Sequence, residues 1–155
     1  MASLSALLVR ATAISHATES DEKVSKAILG LCPDGYPERI DVSRVKGHYG
    51  NEIRVLRMRI KGRAKAERFL HALWVRLSDQ DRKKLLDELS DRTDPSGNMH
   101  VRIDKQELFV GKFVLNDSDP VKVEVKFGPK RDTSVSLVEQ IGGRLRTLEG
   151  LSRET

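Results

Sequence analysis

The chain has 155 residues, the length of a single domain, and it can bury roughly 70% of the surface that its unfolded form exposes. We therefore expect one domain over residues 1–155 that needs no metal or disulfide to fold. Apolar residues recur periodically along the whole chain, which argues against disorder. The single cysteine, Cys32, cannot form an internal disulfide, and no run approaches the roughly 18 apolar residues of a membrane span. A reducing, cytoplasmic setting without membrane contact is expected.

The net charge of +5 comes from one part of the sequence. Residues 43–76 contain ten of the 28 basic residues and only two acidic ones, so this segment alone has a charge of +8. The rest of the chain is then negative, at −3. A local excess of this size predicts an anionic partner for the segment.

The first predicted elements are a strand and a helix. Residues 7–16 have apolar side chains on both faces, which predicts a central strand. The period then becomes helical, and Thr18 followed by Asp21 predicts the N-terminal cap of the helix. One face of this helix is apolar: Val24, Ala27, Ile28 and Leu31.

A β-hairpin is predicted next, with strands over 39–46 and 52–61. The glycines and the asparagine of the turn between them supply the positive φ values that a tight turn needs. In the first strand, Ile40 and Val42 are predicted to point inward together with Val45. Arg54 interrupts the alternation of the second strand, which predicts a bulge near Val55. Further along this strand, three basic residues are predicted to share a face opposite Leu56, Met58 and Ile60: Arg57, Arg59 and Lys61.

Helical periodicity returns after the hairpin. A wide apolar stripe predicts the main core helix: Ala66, Phe69, Leu70, Leu73, Trp74 and Leu77. Ser78 with Asp81 predicts the capped start of a third helix, whose inward residues are Leu85, Leu86 and Leu89.

The remaining predicted elements are a strand over 99–103, a short helix over 105–110 capped by Asp104, strands over 112–115 and 121–127, and a helix over 133–148 that bends or ends at Gly142-Gly143. This order predicts an α+β domain, with helices packed mainly on one face of a largely antiparallel sheet.

Three runs of the sequence together resemble an archaeal RNA-binding family described as a predicted exosome subunit. They are ISHATE with the following EKV, GHYGN, and RIDKQ with Gly111, and they occur in this order over nearly the whole chain. The resemblance implies a fold similar to the fifth large-subunit ribosomal protein. It also implies RNA as a partner, and it transfers no catalytic residue to this chain.

The basic strand and the start of the main helix form the first candidate RNA site. Arginine and lysine side chains there can bind backbone phosphates and release counterions. The residues are Arg54, Arg57, Arg59, Lys61, Arg63, Lys65 and Arg68. The alternative is a solvated face whose charges pair with the acidic third helix.

The tip of the hairpin is a second candidate. An exposed His48 or Tyr49 can stack on an unpaired base, which contributes ~1–3 kcal/mol per base, and Asn51 can bond a base edge. The alternative is that these residues serve only the geometry of the turn.

Patterns typical of enzymes, metal sites and cofactor sites are missing from the sequence. The four histidines, among them His16 and His100, show no i, i+4 pair, and no phosphate-binding loop or nucleophile elbow is present. Capping of the following helix accounts for His16 and its neighbours, and Lys105 and Gln106 are predicted to be ordinary exposed residues. We expect no catalytic residue, no metal and no cofactor.

The sequence thus predicts a non-catalytic RNA-binding protein of archaeal RNA processing or ribosome biology, which docks structured RNA through the basic strand and helix start. The alternative is a protein-interaction module that acts as an accessory subunit of an exosome-like or ribosomal complex. Both hypotheses are compatible with protein partners in an RNA-processing complex and with a homodimer.

Overall fold

The computed structural model describes residues 4–32, 39–47, 49–128 and 135–153, with side chains up to residue 148. Its strands form one antiparallel sheet with the order β2-β3-β1-β5-β4. The strands are β1 (Ser5–Ser15), β2 (Ile40–Lys46), β3 (Glu52–Lys61), β4 (Asn98–Asp104) and β5 (Pro120–Gly128). The described helices are α1 (Asp21–Leu29), α2 (Arg63–Arg76), α3 (Asp79–Asp87), α4 (Leu89–Arg92), α5 (Lys105–Phe109) and α6 (Leu137–Arg153). None of these helices is both long and apolar enough to cross a membrane.

The helices cover one side of the sheet and enclose the core. Both α1 and α2 pack on β1 and β3, and α6 packs on α2. The predicted stripe of α2 is fully buried, with Phe69 and Trp74 at 0% exposure. Alternation places the apolar residues of each central strand on the same side, so that Leu56 and Met58 of β3 and Val123 of β5 meet the helices. This confirms the predicted α+β architecture, while the likeness to the ribosomal protein stays a prediction.

Two of the three predicted helix caps are confirmed. The Ser78 hydroxyl accepts a hydrogen bond from the Asp81 N–H, and the Asp104 carboxylate accepts one from the Glu107 N–H. The prediction of Thr18 as the cap of α1 is wrong, because the chain first makes a turn in which the Glu19 N–H bonds the His16 carbonyl. The cap of α1 is Ser20.

The predicted bulge near Val55 is also wrong. Strand β3 pairs with β1 and with β2 in unbroken register through this position, and the register shift of the sheet lies instead between Ala6 and Leu8, where β1 meets β5. Arg54 interrupts the apolar alternation because its guanidinium points to the helix side. There it pairs with Asp21 and bonds the Ser15 hydroxyl.

Three further expectations need correction. Residues 112–115 do not form a strand, and only Leu115 makes an isolated bridge to Ile103. Helix α6 continues through Gly142-Gly143 and begins at Leu137, where the Ser136 hydroxyl accepts a hydrogen bond from the Glu139 N–H, so the predicted helical residues 135 and 136 lie outside it, and the predicted start at 133 lies outside the described residues. Val42 is paired opposite Leu56 on the helix side but is 50% exposed, because β2 is an edge strand while α1 and α2 pack on β1 and β3. Val45 is paired opposite Ile53 on the side away from the helices, so its predicted inward direction is wrong.

Candidate nucleic-acid interface

The side of the sheet that faces away from the helices is strongly basic, and we call it the open face. The pairing register brings alternate residues of β3, β1, β5 and β4 to this side. Its basic residues are Arg10, Arg57, Arg59, Lys61, Arg102, Lys122 and Lys126. The described strands place three acidic residues there, Asp41, Glu124 and Asp104, and the last of them caps α5. The open face therefore has a local excess of positive charge.

Most of these cations have weak internal partners or none. Among the described residues, Arg59, Lys61, Lys122 and Lys126 form no ion pair. An exposed Arg102 lies 3.7 Å from the Asp117 carboxylate, a pair that contributes about 0–1 kcal/mol. The charges are thus available to an anionic ligand.

The centre of the open face is hollow. A depression of about 640 Å³ lies over the middle strands and is lined by Arg57 and Arg59 on one side and by Arg102 and Lys122 on the other. Arg10 and Glu124 also line it, and Arg10 Nη1 lies 3.4 Å from Glu124 Oε1. A concave basic surface of this kind concentrates positive potential and attracts polyanions.

The seven basic residues predicted for the RNA site lie in three different places in the structure. Arg57 and Arg59 share the open face with Lys61, which confirms the predicted alternation of β3. Arg54 lies on the opposite side and is held by the partners described above. The three residues of the helix start are exposed but belong to the helix layer: Arg63, Lys65 and Arg68.

The hairpin tip displays one aromatic side chain to solvent. Tyr49 is 92% exposed, and Gly50 adopts the positive φ of 80° that the turn requires. The Asn51 side chain lies against Gly47, and the Gly47 N–H bonds the Asn51 carbonyl, so Asn51 shapes the turn. His48 lies outside the described residues.

Four cations of the open face were not among the predicted site residues: Arg10, Arg102, Lys122 and Lys126. The outward direction of two of them, Lys122 and Lys126, could be predicted from the alternation of β5, in which they face away from the buried valines. The sequence does not predict that these four cations lie near β3, because this proximity depends on β1 lying between β3 and β5. The pairing of β1 with β5 joins segments that are more than about a hundred residues apart in the sequence.

A second polar cluster lies at the end of β1, and it contradicts the prediction of an exposed Lys105. This lysine is 4% exposed, and its Nζ atom lies 2.8 Å from the Ile14 carbonyl, 2.9 Å from Glu19 Oε1 and 2.8 Å from Asp119 Oδ2. His16 Nε2 lies 3.0 Å from the other Asp119 oxygen. Burial raises the pKa of Asp119, but the hydrogen bonds and charges of Lys105 and His16 outweigh this and lower it.

The same cluster could be read as a metal site, since His16, Glu19 and Asp119 place ligand atoms close together. The ammonium of Lys105 already supplies a cation to both carboxylates. The cluster therefore joins the end of β1 to α5 and to the loop before β5. Contacts within the folded protein thus account for much of the ISHATE and RIDKQ runs.

A second triad of potential ligands, Asp94, His100 and Glu124, lies at the rim of the open face. Asp94 accepts hydrogen bonds from the N–H groups of Ser96 and Asn98, and His100 Nε2 lies 2.9 Å from its Oδ2. Burial raises the pKa of Asp94, but the bonds from His100, Asn98 and Ser96 prevail and lower it to about 2. Both oxygens of this carboxylate are thus engaged in shaping the turn before β4.

Comparison with known proteins shows similarity to a family described as RNA binding. The model of a family described as RNA binding matches residues 8–127. A relative from Pyrococcus abyssi, named as an RNA-binding protein, is 30% identical over 133 residues, which cover 82% of this chain and 86% of the relative.

Solved structures show the same fold. A crystal structure of a protein from Archaeoglobus fulgidus has a TM-score of 0.74 and 32% identity, and the match covers 92% of this chain and 99% of that one. The structure of a DUF54 protein from Methanothermobacter thermautotrophicus has a TM-score of 0.71 at 23% identity, with 93% and 98% covered, and shares the fold. Since the family model matches well over half of the chain, the protein belongs to this RNA-binding family.

Proposed function

We propose that the protein is a non-catalytic RNA-binding protein of archaeal RNA processing or ribosome biology, and that it docks structured RNA on the open face. The observation that carries the proposal is the set of exposed cations on β3 and β5 that form no ion pair with described residues. A surface charge that the protein does not neutralise is available to a phosphate.

Phosphate binding by such a surface is driven largely by counterion release. On duplex DNA, each phosphate that a lysine or arginine neutralises contributes about 0.9 to the slope of log affinity against log salt, and we expect a similar value on duplex RNA. A site with six or more such contacts loses about a thousandfold in affinity between roughly 50 and 200 mM salt. The proposed site has seven basic residues. We therefore expect RNA binding with a steep dependence on salt.

The hairpin tip and the start of α2 are placed to extend this site. Tyr49 projects into solvent beyond the sheet and can stack on an unpaired base of a loop or bulge. Arg63 follows the end of β3 after a single glycine, so its side chain can reach a backbone that runs off the sheet. The open face remains the principal surface in this proposal.

Two triple variants test the proposal with equal changes of charge. The first, Arg57→Ala with Arg59→Ala and Lys61→Ala, removes the three cations that β3 places on the open face and leaves Arg54 on the helix side. The second, Arg63→Ala with Lys65→Ala and Arg68→Ala, also removes two arginines and one lysine, but from the helix layer. Binding to a labelled stem-loop RNA is measured by fluorescence anisotropy over a series of salt concentrations, after circular dichroism has shown that both variants are folded.

The first variant is expected to reduce the salt slope by about 2.7, which is three contacts at about 0.9 each. The second is expected to have the smaller effect. An unchanged affinity and slope in the first variant would refute the open face as the site. If native partners remain bound to the protein after ribonuclease treatment of an extract while purified RNA does not bind, the accessory-subunit alternative is favoured.

A further inference from the structure

The cations of the open face lie in two tracks with a strand between them. The first, the β3 track, consists of Arg57, Arg59 and Lys61. The second, the β5 track, consists of Lys122 and Lys126, beside which β4 places Arg102. Both β3 and β5 are paired with β1, so the tracks are parallel bands on either side of it. With strands spaced about 4.8 Å apart, their backbones are separated by about 10 Å.

The strand between the tracks adds little net charge. Leu8 lies between Lys61 and Lys126, and Thr12 lies between Arg57 and Lys122. The one cation of this strand on the open face, Arg10, is paired with Glu124. Positive charge is therefore divided into two bands and is weak between them.

The described strands of the open face also offer no aromatic side chain on which an unpaired base could stack. No described strand places an aromatic side chain on it, because the aromatic residues of the sheet and the core helix, Phe127, Phe69 and Trp74, are buried on the helix side. Single-strand binders rely on such side chains, which contribute about 1–3 kcal/mol per stacked base. Its charged side chains suit phosphate and sugar groups better than the faces of unpaired bases.

We infer that the open face binds double-helical RNA, with one sugar-phosphate backbone on each track. This inference rests on the proposed function and assigns its ligand class. A duplex presents two backbones across a groove, and double-stranded RNA is recognised mainly by shape and by phosphate and 2′-hydroxyl contacts. A single strand presents one backbone, so it fills one track and leaves the other without a partner.

The β5 track provides the test, because it is separate from the residues that test the proposed function. The probes are an RNA duplex of about 16 base pairs, the length that a double-stranded RNA-binding module spans, and one of its strands alone. The variant is Lys122→Ala with Lys126→Ala. Its matched control is Lys83→Ala with Lys84→Ala, which removes two exposed lysines from α3.

Wild-type protein is expected to bind the duplex more tightly than the strand. The β5 variant should lower the duplex salt slope by about 1.8, which is two contacts at about 0.9 each, and the α3 control should leave it unchanged. Lys122→Arg with Lys126→Arg should restore both affinity and slope, which separates loss of charge from loss of fold.

Equal binding of duplex and strand, or a β5 variant that binds the duplex like wild type, would overturn the inference. In that case a loss of binding in the β3 triple variant would still support the proposed function. If neither probe binds and the stem-loop also fails, the proposed function itself is wrong.

Discussion

Replacing Lys105 by methionine tests how the cluster at the end of β1 holds the fold together. The substitution keeps an apolar stem of similar length and removes an ammonium that is 4% exposed and bonds a carbonyl and two carboxylates. Removing one partner from a buried ion pair destabilises a protein by about 3–5 kcal/mol. The side chains of Glu19 and Asp119 are 23% and 43% exposed, so water can solvate them in part, and we expect about 2–3 kcal/mol.

Thermal unfolding followed by circular dichroism measures this effect. In a domain of about 150 residues, 1 kcal/mol shifts Tm by about 2–4 °C, so Lys105→Met should lower Tm by about 4–12 °C at pH 7. Lys112→Met, at an exposed position, is the control.

The pH dependence of this loss has a defined sign. Because the pKa of Asp119 is lowered in the folded state, its ionised form stabilises the fold above its unfolded pKa, and this contribution disappears as the pH falls through the folded pKa. The difference between wild type and Lys105→Met should therefore shrink at acid pH. A melting temperature equal to that of Lys112→Met at pH 7, or a difference that grows on acidification, would refute this account of the cluster.

Two further predictions concern the turn before β4. The pKa of Asp94 is lowered to about 2, so its stabilising contribution is present above the usual aspartate range and is lost as the pH falls towards 2. Asp94→Asn should lower Tm at pH 7 and flatten its decline in this acid range, and a variant that declines like wild type would contradict the assignment. Gly97 has a φ of +90°, and an added Cβ would lie 3.3 Å from both Leu137 Cδ2 and the Phe127 carbonyl oxygen. Gly97→Ala should destabilise by about 1–3 kcal/mol in denaturant unfolding, whereas Gly143→Ala, in an open helical position, should stabilise by up to about 1 kcal/mol; equal effects at the two sites would refute the strain argument.

The features that were predictable from the sequence are those that depend on near neighbours. Alternation placed Arg57, Arg59 and Lys61 on one face, the 3.6-residue period identified the buried stripe of α2, and the caps at Ser78 and Asp104 needed only residues three positions apart.

The features that were missed depend on distant pairings. Lys105 is buried because Glu19, 86 residues away in the sequence, and Asp119 of the loop before β5 approach it, and nothing in its local sequence distinguishes it from a surface lysine. The same holds for Arg54, whose inward direction depends on Asp21 and the end of β1. The β5 track becomes part of the site only through the central position of β1.

The most direct test of the central claim, that RNA lies on the open face, is a lysine-reactivity footprint read by mass spectrometry. The protein is acetylated briefly with and without a saturating RNA duplex, and the modification of each lysine is compared. Protection of Lys61, Lys122 and Lys126, with Lys83 and Lys84 of α3 unchanged, is the predicted result. Protection of the α3 lysines, with those of the open face still fully reactive, would contradict it.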